Sequence, residues 1–532
     1  MRLHHPLVPR ALRHQARWAA LVAGAIPLLA FPTPDLSVVA WFGLVPGLLL
    51  IRRSPSAREA AIRAWWLGSG FIVAAMYWLA PELGPGVLLV AAVFGVLQTP
   101  FGVSAWALLR SPLTTGRALA ALVVVPSCWL LAEWLRSWQA LGGPWAVLGA
   151  SQWQHPAVLA LASVGGIWLV SLVLVASNVA ITIALITPRW TARAAAALVA
   201  AAVVAAGPVV FALTAPVPVT GAATIALVQP GVVAGDQQRV DASQQLTAGL
   251  TRARAGASPD LIVWGESSVA FHLGSDPSLL RSIERLSQAA GTQILVNQDA
   301  VHDNQKSKVA VLIGPGGIVG TYTKTRLVPF GEYIPFRSAL AWLTAISRAA
   351  PVNTVPGTGA HVLRVTEPGG QKLTIGPLIC FESAFPDMSR VDTDLGAQVI
   401  VYQTADSTFQ GTWELAQHAS LDAIRAAETG RPVVQAALTG DSDAFDSRGR
   451  ELAWMNENQR GVTTVRLALP ATSSRTIYDE LGDYVPWVAT GVAVLAAAAG
   501  LWRLRGRRPG KGGATGTDKA EYEAGSGLHV PS

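Results

Sequence analysis

Charge is scarce in this sequence: only 14% of its 532 residues are Asp, Glu, Lys or Arg, against roughly 25% in an ordinary soluble domain. That shortage, with 51% hydrophobic residues, excludes a wholly soluble chain and points to a membrane protein. Cysteine is scarcer still. There are two, Cys128 inside an apolar run and Cys380 in a polar region, so no disulfide between them and no cysteine-based framework is expected. Acidic residues are fewer than basic ones, 33 against 40, for a net charge of +7. The surplus arginines sit in short loops between apolar runs, where they set orientation in a bilayer, so no nucleic-acid partner is expected. A cleavable leader is not expected either, because the basic start is followed by many further apolar runs and no small-residue cleavage site stands out.

The apolar runs fall at 18–32, 36–51, 64–80, 86–109, 118–132, 166–187, 194–214 and 484–502. A bilayer core takes roughly 20 apolar residues per helix. The first, second and fifth runs are short by that measure and need flanking residues at the interface, which gives a count of eight spans. Arginine placement supports the count. Arg52, Arg53, Arg58 and Arg63 follow the second run, Arg110 and Arg117 the fourth, Arg189 and Arg193 the sixth, and Arg503, Arg505, Arg507, Arg508 and Lys511 the last. The alternate loops carry almost none, apart from Arg136. Positive loops stay in the cytoplasm, so both termini are expected inside and 215–483 outside. The loop 133–165 carries Trp134, Trp138, Trp145 and Trp153. An aromatic belt at the headgroups is the first reading of it, and a floor beneath the polar region the second.

After Pro216 the pattern changes. Strands are predicted at 223–229, 261–264, 294–297, 309–313, 373–379, 399–404 and 433–437, helices at 283–290 and 415–428 with a helix-compatible stretch up to 257, and a hairpin turn at 447–450. Strands alternating with helices predict an α/β layered domain with helices outside the sheet. The expected division is a helical membrane domain at 1–214, a catalytic domain at 221–467, a linker at 468–483, a last span at 484–502 and a basic disordered cytoplasmic tail at 503–532.

Two predicted strands end on chemically useful residues. Leu261–Trp264 runs into Gly265-Glu266, and 373–379 delivers Cys380-Phe381-Glu382; α/β folds bind their ligands just past the carboxyl ends of strands. Between them lies Lys324-Thr325-Arg326-Leu327-Val328-Pro329-Phe330-Gly331-Glu332-Tyr333-Ile334-Pro335. Singly, each has a plain explanation: a capping glutamate, a solvated lysine, a small buried thiol. Together they form a set that cysteine acyl transfer needs, a thiol with a proton acceptor and a cation for the developing oxyanion.

Trp264-Gly265-Glu266, the lysine run and Ile379-Cys380-Phe381-Glu382 resemble the three catalytic stretches of the nitrilase superfamily. The long middle motif flanked by apolar spans resembles its apolipoprotein N-acyltransferase branch. Further likenesses are Glu133-Trp134-Leu135-Arg136 before Gly143-Pro144-Trp145, Gln417-His418, Gly430-Arg431-Pro432, and Thr476, Tyr478, Gly482 and Asp483 ahead of the last run. The resemblance implies an αββα layered, nitrilase-like catalytic domain on the extracytoplasmic face of a bacterial inner membrane. Glu266 would be general base, Lys324 oxyanion stabiliser and Cys380 nucleophile, with Glu332, Phe381 and Glu382 in support. The implied reaction moves an acyl chain from a phospholipid, via a cysteine thioester, to the α-amino group of a diacylglyceryl-cysteine at a lipoprotein N-terminus. It needs no metal or organic cofactor, and the enzyme would act as a monomer among membrane lipids.

The sequence departs from the family pattern at Gly265, where proline is usual, at Phe381, where tyrosine is frequent, at Ala405, which replaces an asparagine, and over 304–308. These changes bear on pocket shape and headgroup preference. Rival readings are a membrane-anchored amidase using water as acceptor and a weakly active paralogue serving as a lipid-binding scaffold. His418 reads as a hydrogen-bonded structural residue and Cys128 as packing; Asp406 and Asp441 either line the site or cap local turns, with turns the first reading. Phe336, Leu340, Leu343 and Ile346 recur at helical spacing with Trp342 beside them. They form either a core-facing helix or an interfacial arm that admits lipid to the site.

Overall fold

The computed structural model describes residues 10–214, 217–233, 235–253, 258–302, 305–340, 342 and 353–505. Among the described residues, four helices are long and apolar enough to cross a bilayer: Thr115–Arg136, Ala162–Ile186, Trp190–Leu213 and Tyr484–Arg503. Gly86–Val96 and Thr99–Leu109, bent by 44° at their break, make a fifth if counted as one span. The first three apolar runs form shorter or more polar elements. Arg10–Ala25 passes into a 3-10 turn, and the second run splits into a 3-10 turn and Val45–Arg52. The helix Ala57–Ala75 opens on a charged turn whose Glu59 pairs with Arg17 at 2.7 Å and Arg63 at 3.5 Å. A buried carboxylate at low dielectric needs such partners, and they tie the third run to the first.

The polar region folds as two six-stranded sheets. The first contains β1 (Val219–Gln229), β2 (Leu261–Trp264), β3 (Gln293–His302), β4 (Gln305–Gly314) and β5 (Gly317–Thr323). The second contains β6 (Leu363–Thr366), β7 (Lys372–Ile379), β8 (Val399–Thr404), β9 (Val433–Ala437), β10 (Ser442–Phe445) and β11 (Glu451–Met455), while β12 (Gly461–Pro470) returns to the first. The orders are β12-β1-β2-β3-β4-β5 and β11-β10-β9-β8-β7-β6. In each sheet three parallel strands form the centre, β1-β2-β3 and β7-β8-β9, and antiparallel strands form the flanks. The central strands β2, β8 and β9 are buried along their whole length, as expected where both faces are covered.

Helices Asp236–Ala253 and Pro277–Ala290 cover one sheet, and Pro386–Asp394 and Glu414–Thr429 the other, giving the αββα layering of the nitrilase type. Where the sheets meet, Gln403 Nε2 donates to the Trp264 carbonyl at 2.7 Å, and the Glu266 amide donates to the Thr404 carbonyl at 3.1 Å. Gly265 lies at this seam. A Cβ there would stand 2.0 Å from the Leu438 nitrogen, so only glycine lets the end of β2 approach β9 this closely. The departure from proline is therefore a packing requirement of this chain.

The polar domain rests on the membrane helices through Glu414–Thr429, every residue of which except Ala416 is buried. At its far end Glu428 Oε1 accepts the Ile167 amide at 2.7 Å, where the helix Ala162–Ile186 is broken at Gly165 and Gly166. Gly166 has φ +68°, and a Cβ would strike the Tyr478 ring at 2.7 Å. The carboxylate satisfies an amide freed by the break.

Candidate active site

Glu266, Lys324 and Cys380 come from three loops and converge. Lys324 follows β5 and is 1% exposed; its Nζ lies 3.3 Å from Glu266 Oε1 and 2.9 Å from Glu332 Oε1. Its backbone is fixed on both sides, the amide donating to the Lys308 carbonyl at 2.9 Å and its own carbonyl accepting the Gly357 amide at 2.8 Å. Glu332 is held in turn by the Val328 amide at 2.8 Å. Cys380, partly exposed at the end of β7, opens a 3-10 turn with φ +50° and stands within electrostatic reach of the Glu266 carboxylate and the Lys324 ammonium. Positive φ at a non-glycine residue is sparsely populated and clusters at functional sites; here it lifts the sulfur off the sheet toward the two charges.

The electrostatics follow from burial and pairing. Burial pushes the Glu266 carboxyl up, but Lys308 and Lys324 overcome this and hold it at about 2. Burial and the Glu266 charge push the Cys380 thiol well above its ordinary value, with Lys324 opposing. These directions favour a neutral thiol beside a carboxylate and an ammonium.

Of the other expected residues, Glu332 does touch Lys324. Glu382 serves elsewhere. Its Oε1 accepts Tyr322 Oη at 2.7 Å, Thr325 N at 2.8 Å, Thr325 Oγ1 at 2.8 Å and Arg326 N at 3.0 Å, and its Oε2 accepts Ile379 N at 2.8 Å. It binds the lysine loop to the cysteine strand. Phe381 is buried, stacks on Trp145 at 6.4 Å and meets Phe385 edge to face at 4.9 Å. Trp145 is held through its carbonyl by Arg136, and Gln139 Nε2 donates to the Leu327 carbonyl at 3.2 Å. The tryptophan-rich loop thus forms a floor to the site, the second of its two readings. Trp138 remains exposed.

His418 is hydrogen-bonded, as its sequence reading had it, but its partners and the part played by Lys308 escaped the sequence. His418 donates from Nδ1 to Asp406 at 3.2 Å and from Nε2 to the Cys380 carbonyl at 3.3 Å. Burial lowers its basicity, but Asp406 pushes it up to about 10, so it is an imidazolium bracing the cysteine turn. Asp406 is its counter-ion and not simply a turn cap. Cys380, Asp406 and His418 place a sulfur, an oxygen and a nitrogen within 4.8 Å of one another, the one such grouping found among the described residues. Both imidazole nitrogens are spent as donors there, which disfavours a metal. Lys308, within the departing stretch 304–308, reaches Glu266 at 3.2 Å; Asn304 lies outside the described residues. In the suspected arm, Phe336 and Trp342 are exposed, while Leu343 and Ile346 lie outside the described residues and the Leu340 side chain is not described.

A cysteine, a carboxylate and a lysine set at the strand ends of an αββα sandwich, on a helical membrane base, define a membrane-bound enzyme of the carbon-nitrogen hydrolase fold. The carbon-nitrogen hydrolase profile matches residues 224–475, and the apolipoprotein N-acyltransferase N-terminal domain profile matches 23–180. The apolipoprotein N-acyltransferase of Allorhizobium ampelinum is 30% identical over 525 residues, covering 91% of this chain and 95% of that one. That of Geobacter metallireducens is 28% identical over 510 residues, covering 90% and 94%. Among solved structures, an amidase mutant from Nesterenkonia sp. AN1 is similar over 46% of this chain and 92% of its own, at 18% identity and TM-score 0.33. The chain belongs to the apolipoprotein N-acyltransferase family and is an acyltransferase of lipoproteins.

Proposed function

We propose that this enzyme takes an acyl chain from a membrane phospholipid onto Cys380 as a thioester and passes it to the α-amino group of an N-terminal diacylglyceryl-cysteine. The observation that carries the reading is the meeting of thiol, carboxylate and buried ammonium above the Trp145–Phe381 floor. The Cys380 sulfur attacks the ester carbonyl while its proton passes to Glu266. Lys324 faces the developing oxyanion, as a fixed cation in a water-poor site does most effectively. Collapse expels the lysophospholipid alkoxide, which takes the proton back from Glu266. In the second half the acceptor amine attacks the thioester and gives a proton to Glu266; the thiolate leaves and recovers it. The test is to incubate purified protein with phospholipid and a diacylated lipopeptide and to seek the added acyl mass on Cys380, then on the peptide. Acyl mass on the peptide without any thioester intermediate would refute the route, and fatty acid released to water would mark an amidase-like hydrolase.

The catalytic domain is proposed to face outward from the cytoplasmic membrane, with both termini inside and eight passes in all. A reporter fused after Ile477 should then be active only outside, and one fused after Arg508 only inside. The opposite result for either fusion rejects this topology.

The segment after Pro335 is proposed as an interfacial arm. Phe336 at 66% and Trp342 at 58% exposure support this, since buried core aromatics would be covered. Burying a large apolar side chain is worth roughly 1.5–3 kcal/mol, so a Leu340→Asp, Leu343→Asp double variant would unfold a core helix. For an arm dipping into headgroups, the variant should keep its melting temperature and the reaction of Cys380 with a small thiol reagent, while acylation from vesicle phospholipid falls sharply. A large drop in melting temperature would decide for a core helix.

A further inference from the structure

Lys324 is not the only cation on the proposed base. Lys308 projects from β4, and its Nζ lies 3.2 Å from Glu266 Oε1, the same oxygen that Lys324 approaches at 3.3 Å. Its other contacts are fixed: Ser267 Oγ at 2.7 Å and Asp299 Oδ1 at 3.0 Å. Ser267 is itself bound, its hydroxyl donating to Asp299 Oδ1 at 3.0 Å and its amide to Asn297 Oδ1 at 3.0 Å. The Lys308 side chain is 12% exposed, so this bracket works at low dielectric, where a charge pair is strong and an unpaired charge costly.

We propose that Lys308 is a positioning residue, a second cation committed to Glu266 that holds the carboxylate in place and ionised while Lys324 serves the oxyanion. The inference rests on the roles given above to Glu266, Lys324 and Cys380. In that reaction Lys324 must shift its attraction from Glu266 to the substrate oxygen. Left with no other cation, the carboxylate would lose most of its charge compensation at the moment it must accept a proton in a fixed direction. Lys308 stays, because Asp299 and Ser267 hold it from behind and make it a neutral pair with Asp299. With Oε1 held between two ammonium groups, the second carboxylate oxygen is left for the thiol. The groups facing this carboxylate are Lys308 from β4, Lys324 and Glu332 from the lysine loop, and Cys380. Asp299 from β3 and, at 4.0 Å from it, Lys306 stand one shell behind.

Lys308→Gln keeps a hydrogen-bond donor on a side chain one bond shorter but removes the charge, and Lys308→Arg keeps the charge. The full-length protein in phospholipid vesicles, with a diacylated lipopeptide as acceptor, is compared across pH 4–9. Lys308→Gln should lose about 10²-fold in kcat at neutral pH, the scale of a misplaced acid–base group, with KM for the lipopeptide unchanged. An acid limb should appear inside this range, where wild type with Glu266 held at about 2 stays flat, because Glu266 has lost a cation that favours its ionised form. Lys308→Arg should stay near wild type in both. Wild-type kcat and no acid limb inside this range in Lys308→Gln would overturn the proposal, as would an equal loss in Lys308→Arg with no change of pH profile. If Lys308→Gln is too unstable to assay, a normal kcat and pH profile in Lys308→Met or Lys308→Ser, each confirmed folded by thermal melt, would overturn it equally. Persisting turnover in a Cys380→Ala control would instead remove the underlying mechanism and is read separately.

Discussion

Acyl transfer is expected to disappear when Cys380 is replaced by Ala or Ser, while insertion and folding persist. The residue is partly exposed, and its positive φ is imposed by the turn that follows, braced by His418 on its carbonyl, not by the sulfur. Losing that atom should therefore cost little stability, on the order of 1 kcal/mol. The same geometry predicts an inverse effect at Glu266. A free thiol ionises near ~8.5, but here burial and the adjacent Glu266 charge keep the sulfur protonated. In Glu266→Gln the opposing charge is gone and both lysines remain, so the thiolate form becomes more accessible. Alkylation of Cys380 by iodoacetamide at neutral pH should then be faster than in wild type, even as acyl transfer is lost for want of a proton acceptor. The two readouts move in opposite directions, which a general unfolding of the site cannot produce. Normal turnover in Cys380→Ala rejects the nucleophile, and slower alkylation in a folded Glu266→Gln rejects the electrostatic account.

Where the sequence was informative, the physics was local. β2, β8 and β9 are buried on both faces, so β2 reads as a continuous apolar run and β8 and β9 as apolar runs with a buried Gln403 and Gln435, and the residues that follow them inherit a position at the strand ends. Glu266 could thus be placed before any coordinates, and Cys380 likewise at the end of β7. Of the flanking strands only β4, predicted at 309–313, was legible. β5 and β11 are largely exposed edge strands, and β12 alternates only over its second half, so their composition is that of loops. The first three apolar runs were legible as apolar but not as helix lengths, because 3-10 turns and the charged opening of Ala57–Ala75 are fixed by packing between helices.

The contacts that the sequence could not show share one cause. Lys308 and Glu266 are 42 positions apart and meet only because β4 pairs with β3, which pairs with β2. Asp406 and His418 meet because the loop after β8 faces the first turns of Glu414–Thr429. A lysine on a strand and a histidine on a helix have common bland explanations, and only tertiary placement removes them. Glu382, which the family resemblance put in support of the site, spends its oxygens on five bonds that join the lysine loop to the cysteine strand.

Lys324→Met should be the most damaging single change after Cys380, and by two separable routes. The backbone at this position is tied to Lys308 and Gly357 and is left intact, so the loss is confined to the ammonium. Without it the tetrahedral intermediate lacks its proposed cation, which for one preorganised oxyanion partner costs about 10²–10³ in kcat. Glu332 also loses a buried partner at 2.9 Å and Glu266 one at 3.3 Å, and breaking a buried pair from one side costs roughly 3–5 kcal/mol. The sign of the pH dependence is fixed by the two shifts. Glu266, depressed to about 2 in the folded protein, contributes stability above its unfolded value near ~4.3 that is lost as pH falls toward 2. Lys324 is raised in the folded protein, so its contribution is full below an unfolded value near ~10.4 and lost only above it. The melting-temperature gap between wild type and Lys324→Met should therefore be widest between about pH 5 and 10 and close as the solution is acidified. Adding Glu332→Gln removes one of the stranded carboxylates and should restore much of the melting temperature. If kcat stays low in that double variant, the lysine acts on the reaction. If kcat returns with stability, Lys324 is only a structural counter-ion, and the oxyanion assignment falls.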